Sequence, residues 1–462
     1  MNIRDYKNIY MIGIGGISMS GIAEILKKWD FCVSGSDANR SSQTDWLLNN
    51  GIRVNIGQVK ENILEDIDLV IYTAAIHEDN PELVRAKELG IPCIERGAFL
   101  GEITKLFKDT IGIAGTHGKT STTSMVASAF LEAGYDPSIQ VGALLKVIDG
   151  NYRVGNSDYF IIEACEYCES YLNFKQRSAI VLNIDSDHLD YFGSIENIEK
   201  SFQKYVSHLP SDGFLILNRD DERCYNLRNH TQAKVITVGE TEEADWTYKN
   251  VCFDEEGFAT YTVYNHELNM GNVTLKVAGM HNVFNSLCCI ALCNAYGIDV
   301  ETVAKALIKF DGAARRLEYK CTINGAKVYD DYGHHPTEIM ATVKGIKNKK
   351  YKESWVIFEA HTYSRLYQHL NEFASSLVDF DHIIITDIYA AREENIYDIH
   401  EEDLIKELKK LGKDAIHISN VDDIVTFVAQ NVKDGDIVLT LGAGNVTKIA
   451  NKLKELNWII SV

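Results

Sequence analysis

Short β-branched runs alternate with amphipathic helical stretches along nearly the whole chain, the pattern of parallel α/β units. The run Asn8–Ile12, the turn Gly13-Ile14-Gly15-Gly16 and apolar residues at Ile22, Ile25, Leu26 and Trp29 predict strand, glycine loop and helix. A second strand, Phe31–Val33, is expected to end at Ser36-Asp37, with others at Leu69–Tyr72 and Ile91–Ile94. After a polar stretch near Lys105–Asp109 the design repeats. Strand Thr110–Ala114 runs into a loop and a helix over Thr120–Ala133, then Tyr159–Ile162 stops before Glu163 and Ala179–Leu182 before Asn183. Alternation in Phe258–Tyr264 predicts antiparallel strands within Ala244–Val277, followed by a helix from His281 to Tyr296. Beyond Phe310–Arg316, strands at Trp355–Phe358, His382–Thr386 and Asp436–Leu441 form a third such set. The expected fold is therefore α/β with three domains: residues 1–108 Rossmann-like, 109–312 a central domain with a parallel sheet and a small antiparallel part, and 313–462 Rossmann-like again.

Composition narrows the function. The 462 residues carry 46 Lys+Arg against 66 Asp+Glu, a net charge of −20, which argues against nucleic acid or anionic lipid as partner. Apolar runs are far shorter than the ~20 residues a membrane-spanning helix needs, so no membrane insertion is expected. The N-terminus lacks the apolar core of a signal peptide, so the protein is expected in the cytoplasm. There the 10 cysteines stay reduced, as small core residues. The pair Cys165-Glu166-Tyr167-Cys168 has no second pair at zinc-site spacing and reads as incidental thiols.

Two glycine loops carry the clearest chemistry. Gly115-Thr116-His117-Gly118-Lys119-Thr120 follows a strand and opens a helix, so backbone N–H groups and the helix N-terminus can cradle phosphates. Lys119 would then reach the β- and γ-phosphates and Thr120 a magnesium ion. Glu163, at the end of a neighbouring strand, is a magnesium-ligand candidate, and His188 in Asn183-Ile184-Asp185-Ser186-Asp187-His188 could bring an imidazole to the same edge. Gly13-Ile14-Gly15-Gly16-Ile17-Ser18 with Asp37 matches a dinucleotide-binding layout except that Ser18 stands for the third glycine. In the third segment Asp330–Pro336, His361 and Arg365 follow strands, and the Arg365 fork suits a carboxylate. Arg315-Arg316, at the expected hinge, could reach a phosphate on closure.

In this order Gly115–Thr120, Glu163, His188, His281-Asn282-Val283-Phe284-Asn285 and Asp330–Pro336 resemble the Mur ligases over essentially the whole chain. The runs Ile12–Gly21 and Asp331–Glu338 look like those of the member that joins L-alanine to UDP-N-acetylmuramate. The resemblance implies an ATP- and magnesium-dependent ligase that converts the lactyl carboxylate to an acyl phosphate before the amine attacks. It implies ATP contacts from Gly115, Thr116, His117, Gly118, Lys119, Thr120, Ser121, His281, Asn282, Asn285, Arg316 and Asp330, and metal ligation by Thr120, Glu163 and His188. By the same resemblance the UDP-sugar meets Gly13, Gly15, Gly16, Ser18, Asp37, Thr73, Arg96 and His188, and the amino acid meets His334, His361 and Arg365. Catalytic roles fall to Lys119, Glu163, His188, Arg316 and His335, in a monomer or weak homo-oligomer. Two departures stand out: Cys165 where the family often has Asp, and Thr362 where it often has a second Arg. Lys204 is the candidate for the modified lysine of several relatives. A ligase that attaches a preformed peptide, an NAD-dependent oxidoreductase and a non-catalytic nucleotide-binding regulator are the alternatives.

Overall fold

The structure, a computed structural model, describes residues 1–73, 75–391 and 393–460, apart from the side chains of 190 and 457–460. Its strands form three sheets, each led by parallel pairing. The first holds β1 (Asn8–Ile12), β2 (Cys32–Asp37), β3 (Arg53–Ile56), β4 (Leu69–Tyr72) and β5 (Cys93–Glu95) in the order β3-β2-β1-β4-β5, with every pair parallel. β2 is longer than the Phe31–Val33 run and carries Ser36 and Asp37 within it, because β1 on one side and β3 on the other continue the hydrogen-bond ladder that far.

The second sheet comprises β6 (Asp109–Ala114), β7 (Ser138–Leu145), β8 (Gly150–Arg153), β9 (Tyr159–Glu163), β10 (Ser178–Val181), β11 (Phe214–Asn218), β12 (Lys234–Val238), β13 (Trp246–Phe253), β14 (Phe258–Asn265) and β15 (Leu268–Ala278). Their order is β15-β14-β13-β12-β11-β10-β6-β9-β7-β8. The third, β16 (Glu318–Ile323), β17 (Ala326–Asp331), β18 (Ser354–Phe358), β19 (His382–Ile385), β20 (Ala415–His417) and β21 (Ile437–Leu441), runs β16-β17-β21-β18-β19-β20. This is the α/β architecture expected from the alternation of strand and helix patterns.

The chain divides into two compact units: Met1–Tyr248 with Val263–Gly271 and Asn285–Leu307, and Lys249–Thr262 with Asn272–Phe284 and Ile308–Val462. A continuous core in the first unit joins residues of β1 and β4 to residues of β9 to β11, from Met11 and Ile71 through Phe160 and Val181 to Leu217. In the second unit the third sheet is apolar on both faces, with Val356, Phe358 and Leu439 toward one helix layer and Ile357, Val438 and Ile384 toward the other. Burial on both faces is why these strands read as unbroken hydrophobic runs.

In each of the first two sheets the key loop leaves a strand flanked on both sides by parallel neighbours. β1 lies between β2 and β4, and β6 between β10 and β9. An open parallel sheet binds ligands in the crevice outside such strand ends, so topology alone selects the Gly13–Ser18 and Gly115–Thr120 loops.

Candidate active site

The Gly115–Thr120 loop is built by two glycines with positive φ, Gly115 at 131° and Gly118 at 86°. Gly118 caps the helix Lys119–Glu132 in the left-handed region, and an added Cβ would lie 2.9 Å from Asn285 Oδ1. Glycine is needed there on both counts. The Asn285 side chain is buried at 4% exposure. The loop is tied to the end of β10: Thr116 N–H donates to Asn183 O (3.1 Å), His117 N–H to Asn183 Oδ1 (2.7 Å), and Asn183 Nδ2 returns a bond to His117 O (3.0 Å). His117 Nε2 and Asp185 Oδ2 are 3.0 Å apart, and Asp185 N–H donates to Thr116 Oγ1 (2.9 Å).

Lys119 folds back over its own loop. Its ammonium donates to Gly115 O (2.5 Å), Thr116 O (2.9 Å) and Glu166, whose carboxylate oxygens lie 3.1 and 2.9 Å away. Burial opposes the charge, but the Glu166 carboxylate outweighs it and holds the lysine above its ordinary range. Glu166 is itself 2% exposed, a buried acid that the loop motif alone does not announce. The signal available was its place three residues beyond Glu163, on the segment leaving the strand next to β6.

Glu163 ends β9 with both carboxylate oxygens engaged. Thr120 Oγ1 donates to Oε1 (2.9 Å) and Gly142 N–H to Oε2 (2.6 Å). Thr120 and Glu163 thus form an all-oxygen pair beside the phosphate loop, a donor set that fits a hard cation such as magnesium. His188 has a left-handed backbone (φ 54°), and its ring lies against Tyr167 with centroids 4.7 Å apart. The Cys165-x-x-Cys168 pair does not make a reactive dithiol: burial pushes the Cys165 thiol up to about 11, away from thiolate. Lys204 is exposed, on the wall of an open cavity with Tyr191 and Lys200.

The first glycine loop is organised in the same way. Gly13 and Ile14 N–H groups donate to Ser36 O (2.8 and 2.9 Å), and Gly15 N–H donates to Asp37 Oδ2 (3.0 Å). Asp37 therefore braces the loop from β2. Thr73, after β4, closes the other side, with its methyl 2.8 Å from where a Gly13 Cβ would stand. Arg96 opens the helix Arg96–Thr104 and donates from Nη1 to Ser18 Oγ (3.2 Å). The loop residues, Asp37, Thr73 and Arg96 thus converge on one sheet edge.

In the second unit Asp330, fully buried, accepts from Thr440 Oγ1 and Thr447 Oγ1 (2.7 Å each) and pairs with Arg315 Nε at 3.3 Å. Arg315 also donates to Gly442 O (2.5 Å) and Ala443 O (3.3 Å), which leaves Arg316 beside Tyr332 and Glu338. Asp331 accepts from Leu317 and Gly333 N–H (2.7 and 2.8 Å); burial raises its carboxyl despite the nearby Arg316. Asn282 Nδ2 donates to Ala278 O (2.8 Å), and His281 beside it stays solvent-exposed, with desolvation by its neighbours and then the Arg316 charge disfavouring its protonated form. His335 caps the helix Pro336–Lys347 through Thr337 N–H (3.4 Å) and packs edge-on against His369.

His334 and His361 rings lie 5.5 Å apart, and Arg365 Nη1 is 3.2 Å from His361 Nδ1. Two residues not singled out by sequence complete this cluster. Tyr389 stacks on His361 at 5.5 Å, and Glu393 accepts from Ser364 N–H (2.8 Å) and Oγ (2.5 Å). Buried Glu359 accepts from Asn445 N–H (3.0 Å), so a carboxylate of the chain already occupies the Gly442–Asn445 turn.

Three α/β sheets with a glycine-lysine-threonine phosphate loop and an acid at the adjacent strand end define a nucleotide-dependent enzyme scaffold. Three family models cover most of it: the Mur ligase family catalytic domain at residues 8–108, the Mur ligase middle domain at 113–293, and the Mur ligase glutamate ligase domain at 315–444. The UDP-N-acetylmuramate–L-alanine ligase of Acetivibrio thermocellus is 43% identical over 458 residues, 99% of this chain and 97% of its own length. That of Caldanaerobacter subterraneus subsp. tengcongensis is 43% identical over 99% of both chains. Among solved structures, the UDP-N-acetylmuramate–alanine ligase of Thermotoga maritima superposes with a TM-score of 0.85, at 27% identity over 98% of this chain and 99% of that one. The chain belongs to the Mur ligase family.

Proposed function

We propose that the protein is an ATP-dependent ligase that joins the amine of L-alanine to the lactyl carboxylate of UDP-N-acetylmuramate, a step of peptidoglycan precursor synthesis in the cytoplasm. The observation that carries this reading is the phosphate loop with Lys119 folded back over it and Thr120 hydrogen-bonded to Glu163. The choice of substrates rests on the names of relatives matched end to end.

The chemistry follows from the reactants. A carboxylate is a poor acyl donor, so its oxygen first attacks the γ-phosphorus of ATP, giving an acyl phosphate and ADP. The amine then attacks the acyl carbon, loses a proton, and expels phosphate. Carboxylate and ATP repel each other, and cationic groups fixed in advance lower that barrier. Lys119 supplies one such charge at the loop, and the N-terminal dipole of Lys119–Glu132 another. Magnesium, held by Thr120, Glu163 and His188, would neutralise phosphate charge when bound. Gly115 to Ser121, His281, Asn282, Asn285, Arg316 and Asp330 serve ATP. Gly13, Gly15, Gly16, Ser18, Asp37, Thr73, Arg96 and His188 serve the UDP-sugar, His334, His361 and Arg365 the amino acid, and His335 takes a catalytic role. Residues 1–108, 109–312 and 313–462 are assigned as the UDP-sugar, ATP and amino-acid domains, in a monomer or weak homo-oligomer. Among the described residues no helix is long and apolar enough to cross a membrane.

Phosphate release from ATP and magnesium, measured with UDP-N-acetylmuramate and each of L-alanine, glycine, L-serine and the tripeptide, tests the reading. Release that requires the UDP-sugar and L-alanine together is expected. Release only with the tripeptide assigns a peptide-attaching ligase instead, and nucleotide binding without release a regulator.

A further inference from the structure

The β7–β8 hairpin lies against the helix Ile17–Lys28, which begins at the first glycine loop. Its Tyr152 is 3% exposed, and a Cβ added to Gly21 would fall 1.7 Å from the ring, so the ring occupies space that only glycine leaves free. Asn151 Nδ2 donates to Ile17 O (2.9 Å), fixing the hairpin end to the same helix turn. On the facing strand, Gly142 N–H holds Glu163. One short element therefore touches both the acid beside the phosphate loop and the start of the glycine-loop helix.

The Tyr152 hydroxyl lies 3.2 Å from Ser18 Oγ, and Arg96 Nη1 donates to that same oxygen at 3.2 Å. A serine hydroxyl has two acceptor lone pairs and one proton. Arg96 can only donate, so it takes one lone pair. Burial pushes the Tyr152 hydroxyl up to about 12, which keeps its proton on, and a buried O–H left without an acceptor is destabilising. Donation to Ser18 avoids that cost and fills the second lone pair. The Ser18 proton then has neither neighbour to turn to and is left for an acceptor above the loop.

We propose that Tyr152 is a positioning residue of the nucleotide-sugar site: together with Arg96 it saturates Ser18 Oγ as an acceptor, so that the Ser18 O–H is presented to a diphosphate oxygen held by the Gly13–Ser18 loop. The inference rests on the reading of that loop as the UDP-sugar site. It makes Tyr152, 134 positions from Ser18 in sequence, part of diphosphate recognition without touching the ligand.

Calorimetric titration of the full-length protein with UDP-N-acetylmuramate, UDP and uridine tests it, using wild type, Tyr152→Phe, Ser18→Ala and the double variant. Tyr152→Phe keeps the ring over Gly21, so its melting temperature should stay close to that of wild type. It is expected to raise Kd for UDP-N-acetylmuramate and UDP about tenfold and to leave uridine unchanged, with KM for the UDP-sugar rising and kcat within twofold. In the Ser18→Ala background the Phe substitution should add nothing. Equal affinity of wild type and Tyr152→Phe for UDP-N-acetylmuramate, an equal loss for uridine, or additive losses in the double variant would overturn the proposal alone. A wild type that does not bind UDP-N-acetylmuramate overturns the functional reading and this proposal with it.

Discussion

Lys119 and Glu166 are each almost out of water, so their pairing decides more than catalysis. Removing one partner of a buried ion pair leaves an uncompensated charge and costs roughly 3–5 kcal/mol. Lys119→Ala should therefore abolish phosphate release and also lower the denaturant midpoint, while Lys119→Ala combined with Glu166→Gln recovers much of the stability and none of the activity. Turnover by Lys119→Ala equal to wild type would contradict the assigned role. His281 gives a second, pH-dependent expectation. Its folded-state pKa lies near 4 against an ordinary 6.5, so below pH 6.5 the unfolded chain binds the extra proton. Stability from this group is thus complete above pH 6.5 and is lost as pH falls toward 4. The ring is solvent-exposed, so screening keeps that loss small. Urea unfolding at pH 7 and pH 4.5 should show a smaller pH difference in His281→Gln than in wild type; equal differences would place His281 outside the linkage.

The elements that sequence made legible are those whose signal is local. β6, its glycine turn and the helix Lys119–Glu132 follow from one apolar run and six residues, and the third sheet from uninterrupted runs buried on both faces. The β7–β8 hairpin was not legible, because β8 has four residues, two of them polar or charged, and its buried Tyr152 takes its meaning from Gly21 and Ser18 far upstream. Glu166 and Tyr389 were hidden for the same reason: their partners Lys119 and His361 lie 47 and 28 positions away. Fold class thus follows from periodicity, whereas the pairings that brace the site follow from sheet order. The phosphate-loop element also sets a sharp backbone demand. Gly118→Ala must hold φ near 86° and push Asn285 or Leu182 aside, so it should cost more than the ~1–2 kcal/mol of the left-handed strain alone and weaken ATP binding. A variant with unchanged melting temperature and ATP affinity would show that the loop relaxes freely.

The chain as a whole carries a net charge of −20, yet two of the substrates proposed for it, ATP and the UDP-sugar, are polyanions. Affinity must then come from fixed local donors, the loop N–H groups, Arg96 and Lys119, rather than from the long-range field, which repels the ligand. Association should consequently speed up with added salt, since screening weakens repulsion over distances beyond the ~8–10 Å Debye length while leaving contacts inside the loop little changed. The binding footprint should be equally local. UDP-N-acetylmuramate alone is expected to slow amide exchange in residues 13–18, at Thr73 and Arg96, and in the 150–153 strand that carries Tyr152, all within the first compact unit. Exchange in the Gly442–Asn445 turn, whose backbone is already engaged by Glu359, should not change with this ligand. Protection spread evenly over residues 315–444 instead would mean that the UDP-sugar is held by the third sheet, and the assignment of the first glycine loop would have to be abandoned.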